Sequence, residues 1–372
     1  MNNDRLQQLQ TVIAQAGLDG AAFNPGPTLA YLTGQRFHRM ERPVVLLAGP
    51  SGQPAMVLPA LETGRLELFP YPVQAFPYGD NPASWDSAFQ QAARFLGWQR
   101  PRLAVEANQF RVLELNFLQK AFPGLQPVPA DEQLGALRLH KDAQEVALMR
   151  TAVKIAQQAL LATLPSIHPG VSELEIAAEL TIQLLRAGSE PELPFAPIVA
   201  SGPNSANPHA TPTERKVAPG DLIVIDWGGI YQGYISDLTR TLAVGEIDPE
   251  LAQIHAAVAL ANRAGRQAGK PGVPAGTVDH AARGAIQAAG YGAYFTHRTG
   301  HGIGMEAHEP PYMYAENDLI LEPGMAYTVE PGIYLPGKGG VRIEDNVVVT
   351  ADGVEVLSDL PRHLFPIPVT AP

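Results

Sequence analysis

Residues 221–241 read DLIVIDWGGIYQGYISDLTRT and decide how the larger part of the chain is interpreted. Asp226 ends an apolar strand-like run, the glycines after it supply a reversal, and a tyrosine-containing run returns to Asp237. Residues opposite each other on antiparallel strands point to the same side, with Cβ atoms about 4.5 to 5.5 Å apart. The stretch therefore predicts a hairpin whose two carboxylates could share one cation. On these residues alone, two separate carboxylates at strand ends remain the simpler interpretation.

A second copy of this pattern changes the interpretation. Residues 218–229 and 322–332 both contain Pro-Gly, a β-prone apolar run, an acidic residue seven positions after the proline and a glycine two positions beyond it. Each acidic residue is followed by another: Asp226 by Asp237, and Glu330 by Glu344. Two related half-domains would bring four carboxylates together. Such a cluster must bind cations or share protons, because converging anions raise one another's pKa values.

A glycine-rich segment adds nitrogen donors to the carboxylates. Residues 298–312 read RTGHGIGMEAHEPPY, and the spaced glycines argue against a helix there. We therefore expect His301 to project from a loop or a bulged strand. His308 lies seven residues further on, where a regular strand would turn it to the opposite face, so both histidines can serve one site only if the segment bends.

Length and composition describe an ordinary globular protein of more than one domain. The chain has 372 residues, of which 45% are hydrophobic and 17% charged, so two domains are expected. Its formal net charge is −11 and no run of Lys or Arg stands out, which argues against nucleic acid as a partner. The sequence contains no cysteine, which excludes disulfides, a cysteine nucleophile and thiolate metal ligands.

The order of the elements predicts two different domains. Strands and helices alternate over residues 1–130, which predicts an α/β domain, and the dinucleotide-binding glycine pattern is absent there. Residues 131–139 are taken as a linker, and residues 140–372 as an α+β domain of helices and antiparallel strands. Helices are predicted in that domain at 140–164, 172–188, 249–268 and 278–289, the second of them opening with a Ser172–Glu175 capping box. No signal peptide and no apolar run of about 18 residues is present, so we expect no membrane association and a cytoplasmic protein.

Together these motifs resemble the pita-bread metallopeptidases of the creatinase, prolidase and aminopeptidase P group. The resemblance implies a pita-bread catalytic domain of two pseudo-symmetric halves, preceded by a smaller α/β domain of the creatinase type. YLTGQ (31–35) and LRLHKDAQE (137–145) resemble the N-terminal domain and the junction of the same group. The matching catalytic segments are NPHATP (207–212), IDWGGIYQGYISDLTRT (225–241), GHGIGMEAHE (300–309), TVEPGIY (328–334) and GGVRIEDNVVV (339–349).

The resemblance also implies a dinuclear metal site. Its ligands would be Asp226 on one metal, His301 and Glu330 on the other, and Asp237 and Glu344 as bridges. This oxygen-rich set with one imidazole suits two Mn²⁺ ions, with Co²⁺ or Zn²⁺ as alternatives. A structural Ca²⁺ site is disfavoured by the histidine.

Catalytic roles follow from the same resemblance. A bridging hydroxide would attack the scissile carbonyl, with Glu330 as the proton shuttle. His209 and His308 would stabilise the tetrahedral intermediate and assist the leaving proline nitrogen. Arg342 lies two residues before Glu344 on a strand, so we expect it to face the same side and to fix a bridging carboxylate. The implied enzyme is an exopeptidase, a homodimer, that cleaves N-terminal Xaa-Pro bonds of proline-containing peptides.

The sequence favours an Xaa-Pro aminopeptidase over an Xaa-Pro dipeptidase with the same mechanism. A dipeptidase must recognise the free carboxylate of its substrate, and some prolidases place an arginine four residues after the second histidine, where this chain has Tyr312. Residues 309–329 contain no Lys or Arg, although Lys338 could substitute. A creatinase-like hydrolase or a non-catalytic peptide-binding module is disfavoured because all five ligand positions are retained. Arg36, His38 and Arg39 are further candidates for walling the site.

Overall fold

The computed structural model describes residues 4–369 and divides the chain into two compact units. The first unit ends at Arg138 and the second begins at Leu139. The stretch taken as a linker is not extended, because it contains a short helix followed by a 3-10 turn at Ala136–Arg138. The boundaries 1–130, 131–139 and 140–372 stay predictions. Among the described residues, no helix combines the length and the apolar character needed to cross a bilayer.

The first unit is an α/β domain around one six-stranded sheet. The strand order is β4-β3-β2-β1-β5-β6, antiparallel where β2 meets its two neighbours and parallel elsewhere. Its core contains an aromatic stack of Phe89 on Phe117. The predicted α/β domain is confirmed. Its strands are β1 (Gly20–Phe23), β2 (Val45–Ala48), β3 (Ala55–Pro59), β4 (Gln74–Tyr78), β5 (Arg102–Val105) and β6 (Gln126–Pro129). Its helices are α1 (Asp4–Gln15), α2 (Pro27–Thr33), α3 (Trp85–Leu96), α4 (Val112–Ala121) and α5 (Asp131–Gly135).

The second unit mixes four helices with two larger sheets and two small ribbons. The helices are α6 (Ala143–Thr163), α7 (Glu173–Arg186), α8 (Pro249–Ala268) and α9 (Gly276–Ala288). The strands of its first half are β7 (Ile198–Ser201), β8 (Leu222–Trp227), β9 (Ile230–Tyr231), β10 (Tyr234–Ile235) and β11 (Leu238–Val244). The remaining strands are β12 (Gly300–Gly302), β13 (Glu309–Met313), β14 (Ala326–Val329), β15 (Gly332–Leu335), β16 (Gly339–Arg342), β17 (Asp345–Val349), β18 (Val354–Val356) and β19 (Phe365–Ile367). The predicted capping box forms at the start of α7.

The two halves of this unit repeat one topology, as the predicted pseudo-symmetry requires. In the first half, β8 pairs with β11 and the chain between them forms the ribbon β9–β10. In the second half, β14 pairs with β17 and the chain between them forms the ribbon β15–β16. α6 and α7 pack together in the first half, and α8 and α9 in the second. The pseudo-symmetry read from the two Pro-Gly segments is therefore confirmed in the strand pairing.

The hairpin expected at residues 221–241 differs in one detail from the observed structure. The strand that returns beside β8 begins at Leu238, and Asp226 lies opposite Thr239 rather than opposite Asp237. Residues 231–237, predicted to form the returning strand, instead form the second part of the ribbon β9–β10 and a segment that distant residues hold in place. Ile235 N donates to Gly304 O, and Ser236 Oγ donates to Ala152 O. These tertiary hydrogen bonds, which local strand patterns do not contain, place Asp237 just before β11.

Candidate metal centre

Strand ends from both halves carry their acidic residues into one cavity of about 530 Å³. Asp226 lies near the end of β8, Asp237 precedes β11, Glu330 follows β14 and Glu344 precedes β17. His301 lies in β12, where the pairing with β13 shifts register immediately after it, so the expected bulged strand is present. The cavity lining includes all the residues predicted as metal ligands or catalytic groups: His209, Asp226, Asp237, His301, His308, Glu330, Arg342 and Glu344.

Three groups of side chains in this cavity come close enough to hold a metal ion. One ligand atom from each of Asp226, Asp237 and Glu344 lies within 4.8 Å of the others, and the same is true of His301, Glu330 and Glu344. A third such group contains Asp237 and His301 together with the neighbouring His308. His301 Nε2 lies 3.2 Å from Glu330 Oε1. Glu344 belongs to the first and second groups and Asp237 to the first and third, so each of these two carboxylates lies where two groups overlap.

The cations among the described side chains offset the charge of this cluster only in part, through the ion pair of Arg342 with Asp226. Burial, followed by the nearby charges of other carboxylates, raises the pKa of Asp237 and of Glu344 well above the usual range. Burial also raises the pKa of Asp226, whose Oδ1 is enclosed without a hydrogen-bond partner among the described residues. Hard oxygen ligands, one imidazole and an orphaned carboxylate oxygen fit bound divalent cations, which would offset the repulsion that the described side chains leave.

Glu330 differs from the other three carboxylates. Burial by itself raises its pKa, but the hydrogen bond to His301 and the positive charges nearby outweigh burial, and the pKa falls to about 2. Thr328 Oγ1 also donates to Glu330 Oε1 at 3.3 Å. Glu330 is therefore an ionised carboxylate at neutral pH, able to accept a proton or to bind a cation.

Two histidines outside the carboxylate cluster line the cavity. The ring centroid of His308 lies 3.8 Å from that of His301, so the glycine segment does bend as two histidines in one site require. Burial, and then the charge of His301, lower the pKa of His308 to about 4, so its ring is neutral at neutral pH. His209 is exposed at the cavity wall, in the segment between β7 and β8.

Arg342 lies in the site but holds a different carboxylate from the one expected. Its guanidinium is buried, and Nη2 donates to Asp226 Oδ2 at 2.6 Å. It reaches Glu344 only indirectly: Arg342 Nε donates to Thr239 Oγ1 at 3.0 Å, and Thr239 Oγ1 donates to Glu344 Oε2 at 2.7 Å. Strand alternation predicted the side that Arg342 faces. It could not predict the partner, which comes from the other half of the unit.

Two side chains outside the sequence-predicted set, Tyr334 and His297, take part in the same hydrogen-bond network. The Tyr334 hydroxyl accepts a hydrogen bond from Arg342 Nη1 at 3.0 Å and lies 2.9 Å from His297 Nε2. A buried chain of polar groups thus leads from His297 to Asp226. Tyr334 stands in the TVEPGIY segment (328–334), but only the tertiary contacts identify its role. Lys338, considered as a substrate-binding cation, instead forms an ion pair with Glu250 and is exposed.

Arg36, His38 and Arg39 belong to the first unit. Arg39 Nη2 donates to the carbonyl oxygen of Pro25 at 3.2 Å and also bonds Gln109 within that unit. Their proposed contribution to the wall of the site stays a prediction.

Comparison with known proteins identifies both parts of the chain. Residues 147–351 match the model of metallopeptidase family M24, and residues 5–140 match that of the creatinase/prolidase N-terminal domain. The probable dipeptidase PepE of Mycobacterium tuberculosis is 39% identical over 370 residues, covering 98% of this chain and 96% of that protein. The Xaa-Pro dipeptidase of Lactobacillus helveticus is 34% identical over 374 residues, covering 99% of this chain and all of that protein.

Solved structures of peptidases are also similar to this chain over nearly its whole length. A dipeptidase from Pyrococcus horikoshii superimposes with a TM-score of 0.92 at 37% identity, covering 97% of this chain and 99% of that one. An X-Pro aminopeptidase from Thermotoga maritima superimposes with a TM-score of 0.84 at 30% identity, covering 96% of this chain and 99% of that one.

Proposed function

The chain belongs to metallopeptidase family M24 and is a metallo-exopeptidase of the Xaa-Pro class, and we propose that it acts as an Xaa-Pro dipeptidase. The observation that carries this proposal is the cavity in which four carboxylates and His301 converge, and in which burial and neighbouring carboxylates raise the pKa values of Asp226, Asp237 and Glu344. That arrangement suits hydrolysis assisted by metal ions and needs no serine or cysteine nucleophile.

We assign the metal ligands from the groups in the cavity. Asp226, Asp237 and Glu344 would hold one divalent cation, and His301 and Glu330 the other, with Asp237 and Glu344, which each belong to two of the groups, shared between the two cations. Two bound cations would supply Lewis-acid polarisation of the scissile carbonyl and lower the pKa of the attacking water. Mn²⁺ is proposed on ligand hardness, with Co²⁺ and Zn²⁺ as alternatives.

The protein's own side chains would then position and move the proton. Glu330, ionised at neutral pH, accepts the proton of the attacking water and returns it to the proline nitrogen as the peptide bond breaks. His308, neutral at the same pH, donates a ring N–H toward the negative charge that develops on the carbonyl oxygen, and His209, which also lines the cavity, assists it. Arg342 fixes the orientation of Asp226.

Two candidate activities, Xaa-Pro dipeptidase and Xaa-Pro aminopeptidase, share this mechanism and differ in the length of the preferred substrate. The dipeptidase is favoured by the similarity, over nearly the whole chain, to proteins named dipeptidase and Xaa-Pro dipeptidase. The aminopeptidase is the second candidate. It is favoured by the lack of Lys and Arg in residues 309–329 and by the likeness to the Thermotoga maritima aminopeptidase.

A substrate panel tests the proposal. The chelated protein is assayed before and after addition of Mn²⁺, Co²⁺ or Zn²⁺ on Ala-Pro, Ala-Pro-Ala and the control dipeptide Ala-Ala. We expect metal-dependent cleavage of both proline peptides, with a higher kcat/KM for Ala-Pro. A higher kcat/KM for the tripeptide would establish the aminopeptidase instead, and full activity of the metal-free protein would overturn the mechanism. The homodimer and the cytoplasmic location stay predictions.

A further inference from the structure

A dipeptide substrate presents a free carboxylate next to the bond that is cut, so its site needs a cation at a fixed distance from the metal centre. Only two permanently cationic side chains, Arg298 and Arg342, are among the described residues that line the cavity. Arg342 is already engaged. It donates to Asp226, to Thr239, to the Tyr334 hydroxyl and to a backbone carbonyl, and its guanidinium is buried.

Unlike Arg342, Arg298 has a guanidinium that is held in place but forms no ion pair with a described carboxylate. It is half-buried and lies over the ring of Tyr312, 4.4 Å from the ring centroid. Within residues 4–369 it has no carboxylate at ion-pair distance and no hydrogen bond from its side chain. A guanidinium on an aromatic face keeps its N–H edge free to bind a carboxylate with two parallel hydrogen bonds.

The strand pairing puts this guanidinium beside the reacting groups. Tyr312 in β13 lies opposite His301 in β12, and Arg298 precedes β12 by two residues. Arg298 and His308 also line the same cavity. The cation therefore lies on the His301–His308 side of the cavity.

We propose that Arg298, held on the ring of Tyr312, binds the free C-terminal carboxylate of an Xaa-Pro dipeptide and thereby selects dipeptides over longer peptides. The inference rests on the proposed dipeptidase function. Arg298 would act as a specificity residue, because its guanidinium would contact the carboxylate of the substrate and not the atoms of the bond that breaks. Tyr312 would fix the guanidinium before substrate arrives, which lowers the entropy lost on binding.

The test compares a substrate with and without the carboxylate. Ala-Pro and its amide, Ala-Pro-NH₂, are assayed with the Mn²⁺-loaded wild type, with Arg298→Met, which retains an unbranched apolar stem over Tyr312, and with Arg298→Lys. Arg186→Met, at an exposed arginine of α7, is the matched control. A charge-assisted hydrogen-bonded pair is worth roughly 10- to 100-fold, so we expect Arg298→Met to lower kcat/KM for Ala-Pro by about that factor, chiefly through KM. Turnover of the amide should change little, and Arg298→Lys should fall between.

The supporting ring gives a second variant. Tyr312→Leu removes the aromatic face and keeps Arg298, so we expect a smaller loss for Ala-Pro, roughly two- to fivefold, with the amide again unaffected. Calorimetric binding of L-proline and L-prolinamide gives a readout independent of turnover. Arg298→Met should weaken proline binding and leave prolinamide binding unchanged.

The outcomes distinguish failure of the role given to Arg298 from failure of the proposed peptidase function. If Arg298→Met and Arg298→Lys keep the wild-type ratio of acid to amide turnover, this inference is overturned while the Xaa-Pro peptidase stands. If the wild type cleaves neither Ala-Pro nor its amide, the proposed function fails, and the inference fails with it.

Discussion

Asp226 and Glu344 show how single residues in one cluster come to have different roles. Asp226 has one oxygen bound by Arg342 and the other enclosed without a partner in the described part of the chain, which suits a ligand of one metal. Glu344 takes a hydrogen bond from Thr239 and belongs to two of the three groups of ligand atoms. Loss of the Asp226 carboxylate should therefore weaken binding of one metal ion, whereas loss of the Glu344 carboxylate should weaken binding of both.

Metal content tests this difference. After loading with Mn²⁺ and dialysis, we expect Asp226→Asn to retain about one equivalent of metal and Glu344→Gln to retain much less, since a neutral amide is a poor ligand for hard cations. Elemental analysis of the purified variants is the measurement. Glu322→Gln, an exposed acidic residue of the same unit paired with His140, is the control and should keep the wild-type content. Equal loss in the two site variants would contradict separate terminal and shared roles.

At the residue scale, the sequence predicted which side chains line the cavity better than it predicted their partners. The acidic residues and the histidines carry signals that can be read locally, namely strand ends, glycine frames and the repeated Pro-Gly pattern. The contact of Arg342 with Asp226 and that of Arg298 with Tyr312 arise from pairing between separate segments. No spacing rule contains such contacts.

At the scale of elements, the loop that carries His209 is anchored by one buried carboxylate. Glu173, the first residue of α7, accepts hydrogen bonds from the backbone and hydroxyl of Ser201, from Asn204, and from the backbone and hydroxyl of Thr213. These residues bracket the segment that places His209 at the cavity wall. Glu173 therefore orders both ends of the loop that carries His209 and is not itself among the residues that line the cavity.

Glu173→Gln should loosen this loop. The amide supplies fewer acceptors and adds donors, so several buried groups lose their partners, and we expect the free energy of unfolding to fall by about 2 kcal/mol. We also expect kcat/KM for Ala-Pro to fall severalfold with metal content unchanged. Urea denaturation, steady-state kinetics and elemental analysis are the measurements. Glu179→Gln, on the same helix, is the control. A loss of stability with unchanged kinetics would mean that Glu173 does not position His209.

Helices were predicted more accurately than ribbons, for a physical reason. The predicted helix at residues 249–268 coincides with α8, and α7 begins at its predicted capping box, because apolar periodicity and caps act within a few residues. The ribbon β9–β10 was predicted as part of a longer returning strand. It is held by distant residues, among them Glu190, whose Oε1 accepts from Gly233 N.

On the scale of the whole molecule, polar contacts around the metal centre join the two halves of the second unit. Thr239 from the first half bonds Glu344 from the second, and Asn346 makes two hydrogen bonds with the backbone of Asp237. Arg240 forms a fully buried ion pair with Asp345. The repeated Pro-Gly segments predicted two halves, but they could not predict this pairing, in which residues about a hundred positions apart meet.

Removing the metal should therefore loosen one region of the molecule selectively. Without cations the buried carboxylates repel one another, and a ligand present at about 100 times its Kd stabilises the protein by roughly 2.7 kcal/mol, or about 100-fold in an opening equilibrium. We expect chelation to raise amide hydrogen exchange by up to about that factor in peptides from β8, β11, β14 and β17. Peptides from β1 to β3 serve as the internal control and should exchange as before. Glu344→Gln should exchange faster at the outset and respond less to chelator. Uniform acceleration across both units, or none in either, would contradict a stabilising role for metal at the junction of the two halves.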